Sequence, residues 1–197
     1  PRSTLFPSTT LFRSALPGRD AALLLLEVDG DADATARDIR RVAGICRDAG
    51  ALEVLPADDA ARREALWDIR RQTSTRIHES APVYLSEDTV VPIARIPDLI
   101  AALPGLAARF GMAVYAFGHA GDGNIHVNIT GKEGSRERGH ELVRALVGTV
   151  LALGGTMSGE HGVGLTKQPF IGMELSPRSL VLQQGLKIGR ASCRERV

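Results

Sequence analysis

The chain has 197 residues, 44% of them hydrophobic and only 4% aromatic, and a formal net charge of +1 at pH 7. That length allows one domain with a sizeable core, and the balanced charge excludes a basic nucleic-acid footprint. No stretch of 18 apolar residues is present, so nothing in the sequence spans a membrane.

Both ends call for separate treatment. Residues 188–197 read "IGRASCRERV", the translation of a common sequencing adapter, and residues 4–14 read "TLFPSTTLFRS", which differs from a translation of the opposite strand only at Ser8. Residues 1–14 and 188–197 are therefore expected to be adapter artefacts, with 15–187 the natural portion of a truncated domain. Setting aside Arg2, Arg13, Arg190, Arg194 and Arg196 against Glu195 turns the net charge from +1 to −3. Cys193 falls in the suspect tail and leaves Cys46, which makes no disulfide framework and points to a reducing compartment.

In chain order, "AALLLLEVDG" (21–30) is an apolar run ending in Asp-Gly and is predicted as a buried strand with its turn. Residues 33–49 place Ile39, Val42, Ile45, Cys46 and Ala49 on one helical stripe, and Gly50 is a C-cap signal. "ALEVL" (51–55) is predicted as a short strand, followed by a charged helix over 58–78 carrying Leu66, Trp67, Ile69 and Arg70. "YLSEDTVVPI" (84–93) is predicted as a strand that Pro92 places at an edge or an end. Pro97 suits the first turn of a helix over 97–103, which Pro104-Gly105 is expected to break or kink before 106–110. Strands at 111–117 and 124–130, a helix over 136–153, a loop at 155–166 and a last helix opened by Ser176-Pro177 complete the series. Helices interleaved with a direct hairpin predict an α+β fold, an antiparallel sheet with helices on one face.

Asp122-Gly123 between alternating segments predicts a two-residue type I′ hairpin. In that register Ala120 faces Ile125 and His119 faces His126, with Cβ atoms about 5 Å apart. Ile125, Val127 and Ile129 take the core face, and His126, Asn128 and Thr130 the other. Two imidazoles so placed can share a metal ion. Glu160, in the glycine-rich "SGEHGVG" (158–164), is the natural third ligand, a set that suits Zn²⁺ and tolerates Mn²⁺ or Fe²⁺. His161 stands in the same loop, free to act as a base. A half-solvated sheet face and a plain loop are the competing readings of these segments, as a core position is for Trp67 and a surface position for His78 and His140.

"YAFGHAGDGNIHVNI" and "GGTMSGEHGVGLTKQPF", with "EALWDIRR" and "LSEDTVVPIARIPDLIAAL" before them, resemble the C-terminal domain of the FAD-linked oxidases, flavoproteins of the D-lactate dehydrogenase, D-2-hydroxyglutarate dehydrogenase and glycolate oxidase type. The resemblance covers about 20–187. It implies a ferredoxin-like substrate (cap) domain, with His119, His126 and Glu160 as ligands of a divalent metal such as Zn or Mn. It further implies His161 as the base for the substrate hydroxyl, and Arg70 and Asn128 as binders of a 2-hydroxy acid, Arg70 through its carboxylate. Relatives acting on a dicarboxylate carry a lysine where "YLSED" has Ser86, which tells against a dicarboxylate substrate.

The same resemblance implies hydride transfer to FAD, a cofactor held mainly by a separate FAD-binding domain, so the polypeptide alone is expected to be inactive. Its partners would be a small 2-hydroxy acid, that FAD-binding domain, and an electron-acceptor subunit or quinone. Its location would be cytoplasmic, with room for peripheral contact with a membrane. The alternative is a stand-alone metal-binding or hydrolytic domain using His119, His126 and Glu160 without flavin, and a third is an interaction module on the same scaffold.

Overall fold

The structure is a computed structural model and describes residues 22–57 and 59–189, with the side chains of 187–189 left aside. The suspect segment 1–14 and residues 190–197 of the suspect segment 188–197 thus lie outside the described residues, as does the start of the strand predicted at 21–30. The chain divides into two compact units, Pro1–Ser74 and Thr75–Val197.

In the first unit, α1 (Ala32–Asp48) starts where Asp31 accepts the Ala34 N–H at 2.8 Å, and ends before Gly50, whose φ of 87° serves the C-cap expected of it. α2 (Ala60–Glu79) begins in this unit and carries Arg70. The strands expected at 21–30 and 51–55 do not form among the described residues, and Leu23, Leu24, Leu26, Leu52 and Leu55 are exposed. A strand requires partners for its N–H and C=O groups, and local apolar character does not supply them.

The second unit holds the sheet. Strands β1 (Val83–Val90), β2 (Ala113–His119) and β3 (Asn124–Gly131) are antiparallel in the order β1-β3-β2, so β3 is central and β1 is the edge strand that Pro92 foretold. α3 (Ile96–Phe110) and α4 (Arg136–Ala152) cover one face, where Leu99, Leu103, Leu142, Leu146 and Val150 meet Ile125, Val127 and Ile129. Fully burying each such side chain stabilises the fold by roughly 1.5–3 kcal/mol. The antiparallel α+β architecture with helices on one face is the one expected.

Helix α3 runs unbroken through Pro104, contrary to expectation. Pro104 is exposed, so the carbonyl it leaves without a helical partner faces water, while Leu99 and Leu103 hold the helix to the sheet. Further on come short helices α5 (Gly164–Lys167) and α6 (Ile171–Glu174), separated by a 3₁₀ turn (Gln168–Phe170), and then α7 (Pro177–Gly189). Among the described residues no helix is long and apolar enough to cross a membrane.

Candidate metal and acid–base site

The hairpin corrects the expected register. His119 pairs with Asn124 and His126 with Phe117, so the connection is four residues, Ala120–Gly123, rather than a two-residue type I′ turn. That turn type demands positive φ at both central positions. Here only Gly123 adopts it, at 82°, while the Asp122 side chain accepts the Asn124 N–H at 3.0 Å. The Gly123 carbonyl accepts the Val91 N–H at 3.1 Å, which ties the turn to the end of β1.

The slip is by two residues, and side chains repeat with period two, so His119 and His126 still share a face. Their ring centroids lie 5.9 Å apart, at 83° to each other. They are diagonal neighbours rather than opposed ones.

That face is not half-solvated along β3. Asn124, His126, Asn128 and Thr130 are all buried. β1 supplies Tyr84, Ser86 and Asp88 opposite Thr130, Asn128 and His126. The Asn128 Oδ1 accepts from Tyr84 Oη at 2.7 Å and from Ser86 Oγ at 3.2 Å. Asn128 is fully buried, so a ligand reaches its amide only if one of these hydroxyls turns aside.

The loop after α4 crosses the sheet beside His126. It is strapped to β1 by paired backbone bonds between Val90 and Thr156, at 3.0 and 2.9 Å. Gly159 approaches so closely that a Cβ there would lie 2.7 Å from Val90 Cγ2 and 3.0 Å from the Asn124 amide. Glu160 and His161 follow, and both are exposed. Glu160 Oε1 is 3.4 Å from His126 Nε2 and 3.7 Å from His161 Nε2. The rings of His126 and His161 are stacked, 5.3 Å between centroids.

Candidate ligand atoms of His119, His126 and Glu160 thus lie within 4.8 Å of one another, and so do those of Asp88, His126 and His161. Burial lowers the pKa of His126 beneath its usual 6.5, with the neighbouring His161 and His119 adding to the effect and Asp88 and Glu160 opposing it. Its ring is therefore neutral near pH 7 and has a lone pair to offer. Asp88 Oδ1, Asn124 Oδ1 and Ser158 Oγ are buried without a hydrogen-bond partner, which fits a site built to receive a polar or cationic group. Arg70 belongs to the first unit and is half-buried, whereas every other predicted site residue lies in the second. His78 and His140 are exposed, as expected, and Trp67 is half-buried.

Sequence reasoning missed Asp88. Its Oδ2 accepts the N–H groups of Gly159, Glu160 and His161 at 2.9, 2.9 and 3.0 Å. Burial alone would raise its pKa, but those three donors and the nearby Lys167 hold the carboxyl below its ordinary value. Glu87 and Lys167, buried on the core face, were missed as well. The available signal was the pair Glu87-Asp88 inside a strand, because adjacent residues must point to opposite faces.

The fold and this face define an antiparallel α+β domain with a histidine–carboxylate site beside its central strand. The family model described as "FAD linked oxidases, C-terminal domain" matches residues 5–188. The chain is 32% identical over 175 residues to the glycolate oxidase subunit GlcD of Bacillus subtilis, covering 87% of this chain and 37% of that protein. It is also 32% identical over 172 residues to the D-lactate dehydrogenase of Anaerostipes hadrus, covering 84% and 36% respectively. The glycolate oxidase subunit GlcD of Escherichia coli K12 is 32% identical over 149 residues, covering 74% and 30%. The chain spans about a third of the length of these relatives. It belongs to the family of FAD-linked oxidase C-terminal domains.

Proposed function

We propose that this chain is the substrate- and metal-binding part of a FAD-dependent 2-hydroxy-acid dehydrogenase of D-lactate or glycolate type. The observation that carries the reading is the convergence of ligand atoms from His119, His126 and Glu160 within 4.8 Å, on two strands and a loop whose N–H groups are held by Asp88. Two imidazoles and one carboxylate suit a divalent cation such as Zn²⁺ or Mn²⁺ and leave positions open for a substrate oxygen. When bound, the cation supplies Lewis acidity toward an α-hydroxyl and the flavin supplies a hydride acceptor.

The chain's own residues do the rest. His126 offers a neutral nitrogen because its surroundings disfavour the charged ring. His161, exposed and stacked on His126, is assigned the proton of the substrate hydroxyl. Arg70 is assigned to the substrate carboxylate, a task to which a planar guanidinium is suited. Asn128 is assigned to the same substrate, through its amide once Tyr84 or Ser86 moves. With relatives about two and a half times as long as this chain, the FAD-binding portion is assigned to a separate domain, and the electron acceptor to a partner subunit or a quinone. The 197-residue polypeptide is then inactive alone, and 1–14 and 188–197 take no part.

Calorimetric titration of the metal-free chain with Zn²⁺ and Mn²⁺ tests this reading. One ion should bind per chain, and a His119→Ala/His126→Ala double variant should lose it. Absence of binding by the parent chain removes the metal from the proposal. Dye reduction with D-lactate and added FAD should stay at background, and turnover would refute the claim of inactivity.

A further inference from the structure

We infer that Asp88 is the positioning residue of this site, one of its oxygens setting the loop that carries Glu160 and His161 and the other setting the tautomer of His126. The inference rests on the metal-binding reading above only for its consequence, not for its geometry.

Consider first the loop. Three consecutive backbone N–H groups, from Gly159, Glu160 and His161, converge on Asp88 Oδ2 at 2.9–3.0 Å. Successive N–H groups directed at one point form an anion-binding nest, and here the anion is part of the chain. The side chains of Glu160 and His161 are exposed, so their packing does not hold this stretch of backbone in place. The carboxylate does. Asp88 is itself held from beneath, because Lys167 Nζ donates to the Asp88 carbonyl at 2.6 Å and to the Met157 carbonyl at 2.7 Å. One ammonium thus links the strand residue to the start of the loop that its carboxylate gathers.

Consider next the ring. Asp88 and His126 are direct partners in the β1–β3 ladder and share its polar face. Asp88 Oδ1 is buried, has no hydrogen-bond partner, and lies 3.8 Å from His126 Nδ1. On the other side of the ring, Nε2 is 3.4 Å from Glu160 Oε1. A neutral imidazole has one N–H to give. The side chain of Asp88 is 2% exposed and that of Glu160 53% exposed, so water can satisfy Glu160 but not Asp88. The proton therefore sits on Nδ1, facing Asp88, and the lone pair of Nε2 faces Glu160. At 3.8 Å the attraction is electrostatic rather than a formed hydrogen bond. A carboxylate facing the outer nitrogen of an imidazole is the arrangement that orients a metal ligand and fixes its tautomer.

The test uses the 197-residue chain labelled with ¹⁵N, metal-free at pH 7.5, with His126 resonances assigned by comparison with His126→Gln. Long-range ¹H–¹⁵N correlation should show His126 protonated on Nδ1. The amides of Gly159, Glu160 and His161 should exchange at least about tenfold more slowly than unbonded loop amides. In Asp88→Asn the amide oxygen can take the loop N–H groups while its NH₂ faces His126. A donor there requires a lone pair on Nδ1, so the ring proton should move to Nε2. Zn²⁺ affinity should fall about 10- to 100-fold. A purely structural role would lower stability without moving the tautomer.

His126 protonated on Nε2 in the parent, or unprotected loop amides, would overturn the inference, as would unchanged Zn²⁺ affinity in a folded Asp88→Asn chain. If that variant does not fold, the parent spectrum and exchange rates still decide. If the parent shows the Nδ1 proton and protected amides but binds no Zn²⁺, the positioning role stands and the metal reading falls.

Discussion

Lys167 Nζ lies 3.9 Å from Glu87 Oε2, the two side chains 7% and 2% exposed, on the face of the sheet opposite the histidines. The ammonium reaches Glu87 at a distance too long for a hydrogen bond and gives its close contacts to two backbone carbonyls instead. Removing it leaves a buried carboxyl and two buried carbonyls without their partner. Lys167→Met should therefore destabilise the chain by about 3–5 kcal/mol. Adding Glu87→Gln should recover 1 kcal/mol or more of that loss, a typical coupling between contacting groups. Urea denaturation of the parent, both single variants and the double variant measures it, and a Lys167→Met cost below about 1 kcal/mol would sink the argument.

Glu87 also gives the stability a pH dependence. Burial pushes its carboxyl up to about 7 from an ordinary 4.5, with Asp88 reinforcing the rise and Lys167 opposing it. Between those two values the folded chain keeps a proton that the unfolded chain has lost, so stability falls as pH rises. The contribution is fully present below 4.5 and has been lost once pH passes about 7. Relative to Glu87→Gln, the parent should lose about 3 kcal/mol across that window and change little above it. Using the variant as reference cancels His126, whose lowered pKa acts in the opposite sense, stability being lost as pH falls below 6.5. A parent-minus-variant stability that rises with pH would contradict the assignment.

Gly159 separates the loop's steric demand from its hydrogen bonds. A methyl group there would meet Val90 Cγ2 at 2.7 Å and push the loop away from Asp88. Gly159→Ala should cost about 1–3 kcal/mol, the usual range for overpacking. It should also weaken Zn²⁺ binding, because Glu160 moves with the loop. At Gly162 nothing lies within 4 Å of an added Cβ, and the strain comes only from its φ of 73°. Gly162→Ala should cost about 1–2 kcal/mol through that backbone conformation with a smaller loss of Zn²⁺ affinity. Equal affinity losses in the two variants would mean that the loop is not seated by Gly159.

Much of this site was readable from local rules. Alternation in "NIHVNIT" assigned Ile125, Val127 and Ile129 to the core and His126 and Asn128 to the opposite face, as observed. The turn was misread, yet the error of two residues preserved the shared face of His119 and His126, because parity rather than exact register decides which face a side chain takes. What could not be read was set by long-range pairing. Asp88 meets His126 only through the β1–β3 register, across 38 positions of sequence. Lys167 reaches Asp88 and Met157 only after α5 turns it inward. The same limit explains the strands wrongly expected at 21–30 and 51–55. Apolar character was visible there, whereas the absence of a ladder partner among the described residues was not.

His119 and His126 should respond differently to the same substitution. His119 is exposed at the end of β2, and its ring touches the site from the solvent side. His126 is buried in the central strand, with its ring 5.6 Å from that of Phe117 and 5.3 Å from that of His161. His119→Ala should therefore change stability by no more than about 0.5 kcal/mol, as for most surface substitutions. His126→Ala removes packed ring atoms and leaves Asp88 Oδ1 facing a void, at a cost of about 1–3 kcal/mol. Both should weaken Zn²⁺ binding at least tenfold, since each removes one of the three proposed ligands. Paired denaturation and calorimetry on the two variants separate ligand loss from fold loss. If His119→Ala leaves Zn²⁺ affinity unchanged while His126→Ala abolishes it, the ion is held instead by Asp88, His126 and His161, the second set of ligand atoms within reach of one another.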